Sequence, residues 1–134
     1  MKKRQGLSLI EVLLSVVILG VVITAVAGSM ASNLKVSSES NRQSLAVEYV
    51  DSVLEKYKIH WKSPTNYRRA HRPNLRVQNR LLARGMVASI ASRGLELDGS
   101  AASSNPPPMR RVTVIVHRDG KVLARGSTLI GAPQ

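Results

Sequence analysis

Gly6 and Glu11 stand five positions apart at the head of a long uncharged run, and their types suit chemistry at a membrane surface. Gly6 has no side chain, so the backbone there can lie extended without hindrance. From Val12 to Leu34 there is no charged residue. As a helix, this run of about 23 residues would rise roughly 34 Å, enough to cross a bilayer. Because a carboxylate at the head of such a run is costly in lipid, we expect Glu11 to need a positively charged partner.

Arginines recur every fourth residue in the middle of the chain, at Arg68, Arg72, Arg76, Arg80 and Arg84. Residues 56–93 hold ten Lys and Arg and no Asp or Glu. On a helix, this spacing would present guanidinium forks to phosphates, which makes the five arginines candidate nucleic-acid contacts. Trp61 and Tyr67 are candidates for stacking on bases, or else core residues. A solvated basic face, or a patch that matches an acidic neighbour, explains the arginines equally well.

Other reactive residue types form no convincing set. His60, His71 and His117 have no further ligand at metal-binding spacing, and the chain has no Cys. No serine stands in a Gly-x-Ser-x-Gly frame. We therefore expect no metal, no cofactor and no enzymatic activity.

One long helix is predicted to follow the basic N-terminal residues and to carry Glu11 near its start. Between Ser44 and Tyr57 the apolar residues repeat at spacings of three and four, as on the buried face of a helix. Because no Pro or Gly separates this stretch from the membrane run, one helix from about Leu7 to Tyr57 is expected. Ser63-Pro64 marks the stop, since a residue before Pro disfavours helix.

The remainder of the chain predicts a strand pair and a further short helix. Val112–His117 alternates β-branched residues and runs into Asp119-Gly120, the strongest local signal for a hairpin, whose second strand would reach about Ile130. A helix from Pro73 to Arg84 is expected, with Gly85 as its stop. Residues 86–90 form a short apolar run that fits either strand or helix.

The positive charges at the N-terminus predict the orientation of the chain in the membrane. Lys2, Lys3 and Arg4 precede the apolar run, so the N-terminus is expected in the cytoplasm and the C-terminus outside. Removal of these three cations would lower the formal charge from +12 to +9. The alternative is an ordinary secretory signal peptide, cleaved after the small residues Ala25-Val26-Ala27.

The short basic leader, Gly6, and Glu11 as the fifth residue after it together resemble the type IV prepilin signature. The resemblance implies that prepilin peptidase cuts between Gly6 and Leu7 and methylates the new amine of Leu7, where the family more often has Phe or Met. It also implies that Glu11 pairs with the N-terminal amine of a neighbouring subunit during filament assembly.

The resemblance further implies an α+β fold, in which the second half of a long N-terminal helix packs on a small antiparallel sheet. The expected division is a leader at residues 1–6, a transmembrane and assembly helix at 7–34, an amphipathic continuation at 35–62, and a small C-terminal part at 63–134 with a hairpin near 112–130. The chain would span the bacterial inner membrane once before assembly, and lie in a periplasmic or cell-surface filament afterwards.

Two functions are compatible with this pattern. The first is a minor pilin or pseudopilin of a type IV pilus or type II secretion filament, favoured over an abundant pilin by the short length and the missing Cys pair. Its partners would be the peptidase, other pilin subunits and the inner membrane. The second is a DNA-uptake pilin whose basic region binds nucleic acid.

Overall fold

The computed structural model describes residues 8–83 and 85–134, and a single long helix dominates it. Helix α1 spans Leu9–His60. It begins where the backbone N–H groups of Glu11 and Val12 donate to the Ser8 carbonyl, at 2.9 and 3.2 Å. It ends shortly before Ser63-Pro64, as expected. The prediction of an unbroken helix is confirmed over the described residues, and its C-terminal end lies three residues beyond Tyr57.

The chain divides into two compact units, residues 1–39 and residues 40–134. In the first, the described residues form the N-terminal part of α1, and every one of them is exposed. The second contains the rest of α1, the sheet and, among the residues whose burial is described, all the buried ones.

Three antiparallel strands form a sheet in the order β1-β2-β3. Their bounds are Val87–Leu95 for β1, Met109–Arg118 for β2 and Lys121–Gly131 for β3. Asp119 and Gly120 join β2 to β3 with positive φ angles of 51° and 77°, which a tight hairpin turn requires. The predicted hairpin is confirmed, and the apolar run at residues 86–90 belongs mainly to a strand.

The core lies between one face of the sheet and one face of α1. Val112, Val114 and Val116 alternate toward this core and are fully buried. On β3, a Cβ added to Gly126 would lie 2.5 Å from Val50 Cγ1 of α1, so the missing side chain permits the close approach of helix and strand. The predicted α+β architecture, a long apolar helix packed with a small antiparallel sheet, is confirmed.

The predicted helix from Pro73 to Arg84 is wrong. Apart from Arg84, which lies outside the described residues, the segment is irregular and contains one turn of 3-10 helix, Gln78–Leu81. The Asn74 Oδ1 accepts a hydrogen bond from the Arg76 backbone N–H at 3.0 Å, a local bond that competes with helix formation. Asn79 Oδ1 accepts a further bond from the Tyr49 hydroxyl of α1 at 3.1 Å, so a tertiary contact also holds the segment.

Candidate assembly site and charged surfaces

Glu11 lies in the first turn of α1, with its side chain exposed. A carboxylate there complements the positive end of the helix dipole. The Ser15 hydroxyl donates to the Glu11 backbone carbonyl at 2.7 Å, one turn along. The residues predicted to be cleaved and methylated, Gly6 and Leu7, lie outside the described residues. The structure therefore gives Glu11 a position at a helix start, directly after the predicted processing site.

The residues that follow Glu11 form an apolar surface that their own unit does not cover. Leu14, Val17 and Val21 are each about 60% exposed, and no residue from Ser8 to Glu39 is buried. α1 is long and apolar enough to cross a membrane. An apolar surface of this extent marks contact with lipid or with other protein chains.

The arginine ladder does not lie on one helical face. Arg68 ends the short helix α2, Pro64–Arg68, while Arg72 and Arg76 stand in irregular chain and Arg80 in the 3-10 turn. These four residues are exposed, and Arg84 is not among the described residues. The regular row of guanidinium groups that the spacing suggested therefore has no helix to hold it.

Trp61 and Tyr67 are core residues, which excludes them as stacking platforms for bases. Each is only 1% exposed. The Trp61 indole N–H donates to the His71 carbonyl at 2.8 Å, and the Tyr67 hydroxyl donates to the Pro107 carbonyl at 3.0 Å. The Arg110 guanidinium lies over both rings, 5.7 Å from the Trp61 centroid and 5.3 Å from that of Tyr67. Burial raises the pKa of Tyr67, which the nearby Arg110 opposes.

Two of the three histidines, although distant in sequence, are paired. His60 Nε2 and His71 Nδ1 lie 3.0 Å apart, so one ring donates a hydrogen bond to the other. Partial burial lowers the pKa of His60, and the neighbouring His71 and Lys56 lower it further. Among the described residues no group of three or more His, Cys, Asp or Glu side chains gathers as metal ligands do.

Two charged surfaces of the second unit escaped the sequence reasoning. One is a row of carboxylates on the outer side of α1, formed by Glu48, Asp51 and Glu55. The other is a set of arginines on the sheet face turned away from the core, Arg93, Arg111 and Arg125. The spacing of three and four residues in the first set is typical of one helix face, and the alternation along the strands is typical of one sheet face. The sequence prediction of a charged surface instead used the regular spacing of the five arginines at every fourth position from Arg68 to Arg84.

Comparison with known proteins bears on the N-terminal part. The family described as the Prokaryotic N-terminal methylation motif matches residues 1–27. Neither a curated protein nor a solved structure matches the chain.

The matched motif covers Gly6, Leu7 and Glu11 and the start of the apolar helix. The chain thus carries a prepilin methylation motif on a pilin-like α+β fold, consistent with a type IV pilin-like protein. The motif implies processing by prepilin peptidase and assembly with other pilins in the membrane, and it supports a type IV pilin or pseudopilin subunit.

Proposed function

We propose that this chain is a minor, non-catalytic subunit of a type IV pilus or type II secretion filament, cut between Gly6 and Leu7 and methylated at Leu7. The observation that carries the proposal is the methylation motif at residues 1–27, which runs directly into an exposed apolar helix. After cleavage the helix would hold the protein in the inner membrane, with its C-terminal domain outside the cytoplasm.

Assembly then depends on the charge of Glu11. Burial among apolar helices makes a lone carboxylate costly, and the same holds for the new N-terminal amine of a neighbouring subunit. Pairing the two groups offsets both costs, and it does so at one axial position only. Glu11 therefore fixes the register of one subunit against the next.

A minor rather than an abundant role is supported by the small size of the domain. The unit outside the apolar segment comprises residues 40–134, and the chain has no Cys to form a stabilising disulfide. The sheet has three strands.

Replacing Glu11 by Ala tests the proposed function. Glu11→Ala should leave cleavage and membrane insertion intact, since it makes the helix more apolar, but it should strongly reduce the amount of protein in sheared filament fractions. Glu11→Asp, which keeps the charge, is the matched control and should retain more incorporation. Wild-type incorporation of Glu11→Ala would show that the carboxylate is merely solvated at the interface.

The DNA-uptake role, with contacts from Arg68, Arg72, Arg76, Arg80 and Arg84, stays a prediction. Its main sequence argument was a helical arginine face, and α2 and the 3-10 turn do not supply one.

A further inference from the structure

The outer side of α1 carries an acidic stripe, which we define as Glu48, Asp51 and Glu55. An α-helix turns by 100° per residue, so these three side chains lie on the side of α1 opposite its buried face. That buried face includes Val50 and Val53 and packs on the sheet. All three carboxylates are exposed, and within residues 8–83 and 85–134 none forms an ion pair. Val47, 47% exposed, lies beside them, so the stripe combines negative charge with an apolar side chain.

The sheet face turned away from α1 has the opposite character. Arg93 on β1 stands directly across from Arg111 on β2, and two like charges in such a pair repel. Arg111 and Arg125 border an open trough of about 460 Å³, lined also by Thr113 and Ser127. The three strands, all described, contain no Asp or Glu. We call this surface, Arg93, Arg111 and Arg125 with the trough, the basic sheet face.

The two surfaces match in spacing as well as in charge. Glu48 and Glu55 are seven helical residues apart, which is about 10 Å along the axis. Arg111 pairs with Leu129, four residues from Arg125, so the two arginines are separated by roughly 13 Å along the strands. Arginine side chains are long and flexible enough to make up the difference between these two separations. Leu129, 52% exposed beside the trough, offers an apolar counterpart to Val47.

We propose that the acidic stripe of one copy docks on the basic sheet face of a second copy. The surfaces lie on opposite sides of one domain and are not self-complementary, so the contact is head-to-tail. A head-to-tail contact leaves one surface of each kind free on a pair of copies, so neighbouring copies in a filament can make it without forming a closed dimer. The inference rests on the proposed function. It adds a contact between the C-terminal domains of two copies, and this contact does not involve Glu11.

A second copy fits this face better than a nucleic acid does. The basic sheet face has no aromatic side chain on which bases would stack. Leu129 and Ile115 lie among its arginines, and arginine is enriched in protein–protein interfaces. The complementary acidic surface is present on the same chain.

Disulfide cross-linking of the full-length protein in membranes tests the contact. Because the chain has no Cys, its own residues form no disulfide other than the one introduced. Ser52 lies beside the acidic stripe, and Ser127 lines the trough. Two differently tagged variants, Ser52→Cys and Ser127→Cys, are co-expressed and oxidised. Ser63→Cys, exposed and with no side-chain capping bond, replaces Ser127→Cys in the matched control.

We expect a mixed Ser52→Cys/Ser127→Cys dimer, on the order of tenfold more abundant than the control dimer, because docking raises the effective concentration of the two thiols. Arg111→Glu with Arg125→Glu on the Ser127→Cys copy should remove this excess. Glu48→Arg with Glu55→Arg on the Ser52→Cys copy should then restore it.

Three results would overturn the inference: no excess over the control, an excess insensitive to both charge reversals, or cross-linking of Ser127→Cys only to a different protein. Retention of random-sequence DNA by the wild-type protein, lost with Arg111→Glu and Arg125→Glu, would in the absence of the mixed dimer assign the face to a polyanion. Sheared fractions separate the two proposals. Wild-type incorporation without the mixed dimer contradicts this contact alone, whereas absence of wild-type protein from filaments contradicts the proposed function.

Discussion

The two halves of α1 differ in where their apolar side chains are buried. From Leu9 to Glu39 the helix contains no buried residue. From Ser40 to His60 six of its side chains are buried in the core of the second unit: Ala46, Tyr49, Val50, Val53, Leu54 and Tyr57. One continuous helix therefore serves two environments, its own sheet in one half and lipid or other subunits in the other.

This difference separates stability from assembly. Substitutions of the buried residues after position 40 should lower the free energy of unfolding of the domain, because these residues form its core. Substitutions before residue 40 should leave it unchanged and act on insertion or assembly instead.

The largest effect on stability is expected at Trp61. It is 1% exposed, meets Tyr57 and Tyr67 edge-to-face, and donates to the His71 carbonyl. Trp61→Ala should lower the free energy of unfolding by about 3–5 kcal/mol, the usual cost of truncating a large buried aromatic. Leu19→Ala, at a position 58% exposed, should leave the domain's unfolding transition in detergent unchanged. A domain transition shifted equally by both variants would refute the division.

A smaller effect is expected where β3 crosses α1. A Cβ at Gly126 would lie 2.5 Å from Val50 Cγ1 and 3.2 Å from Leu54 Cδ1. Gly126→Ala should therefore destabilise the domain by about 1–3 kcal/mol through overpacking. Gly131→Ala, on the same strand with nothing within 4 Å of the added Cβ, is the matched control and should be close to neutral. Chemical denaturation of both variants decides the point.

The smallest effect concerns the His60–His71 pair. Because the pKa of His60 is lowered from 6.5 in the folded state, the unfolded chain binds the proton more readily. The resulting contribution to stability is present above pH 6.5 and is lost as the pH falls through the folded-state pKa. His60→Gln should reduce this acid-side loss in thermal unfolding curves, whereas His117→Gln should not. Identical pH profiles for wild type and His60→Gln would contradict the assignment.

Local signals in the sequence were sufficient for the long helix and the hairpin. The apolar spacing of residues 44–57, with no Pro or Gly before it, predicted the continuation of α1, and Asp119-Gly120 predicted the turn from β2 to β3. The segment after Pro73 was misread because its conformation depends on partners outside it. The Tyr49 hydroxyl of α1 donates to Asn79 Oδ1 within this segment. The Trp61 indole N–H, just beyond α1, donates to the carbonyl of His71, two residues before Pro73.

The candidate sites divide in the same way. Glu11 was identified from its spacing to Gly6, since the motif is contiguous in sequence. The basic sheet face was not, because the pairing of Arg93 with Arg111 depends on strand register, and residues 96–108 separate the two strands. The alternation of β2 puts Arg111 on the sheet face away from the buried Val112, but it does not reveal which side chain lies beside Arg111.

Mass spectrometry of the N-terminus of the membrane-extracted protein tests the central claim most directly. The account predicts a mature chain that begins at Leu7 and carries an added methyl group on its amine. A mature chain that begins at Gly28 would instead establish cleavage of an ordinary signal peptide after Ala27, and would contradict the pilin-like account.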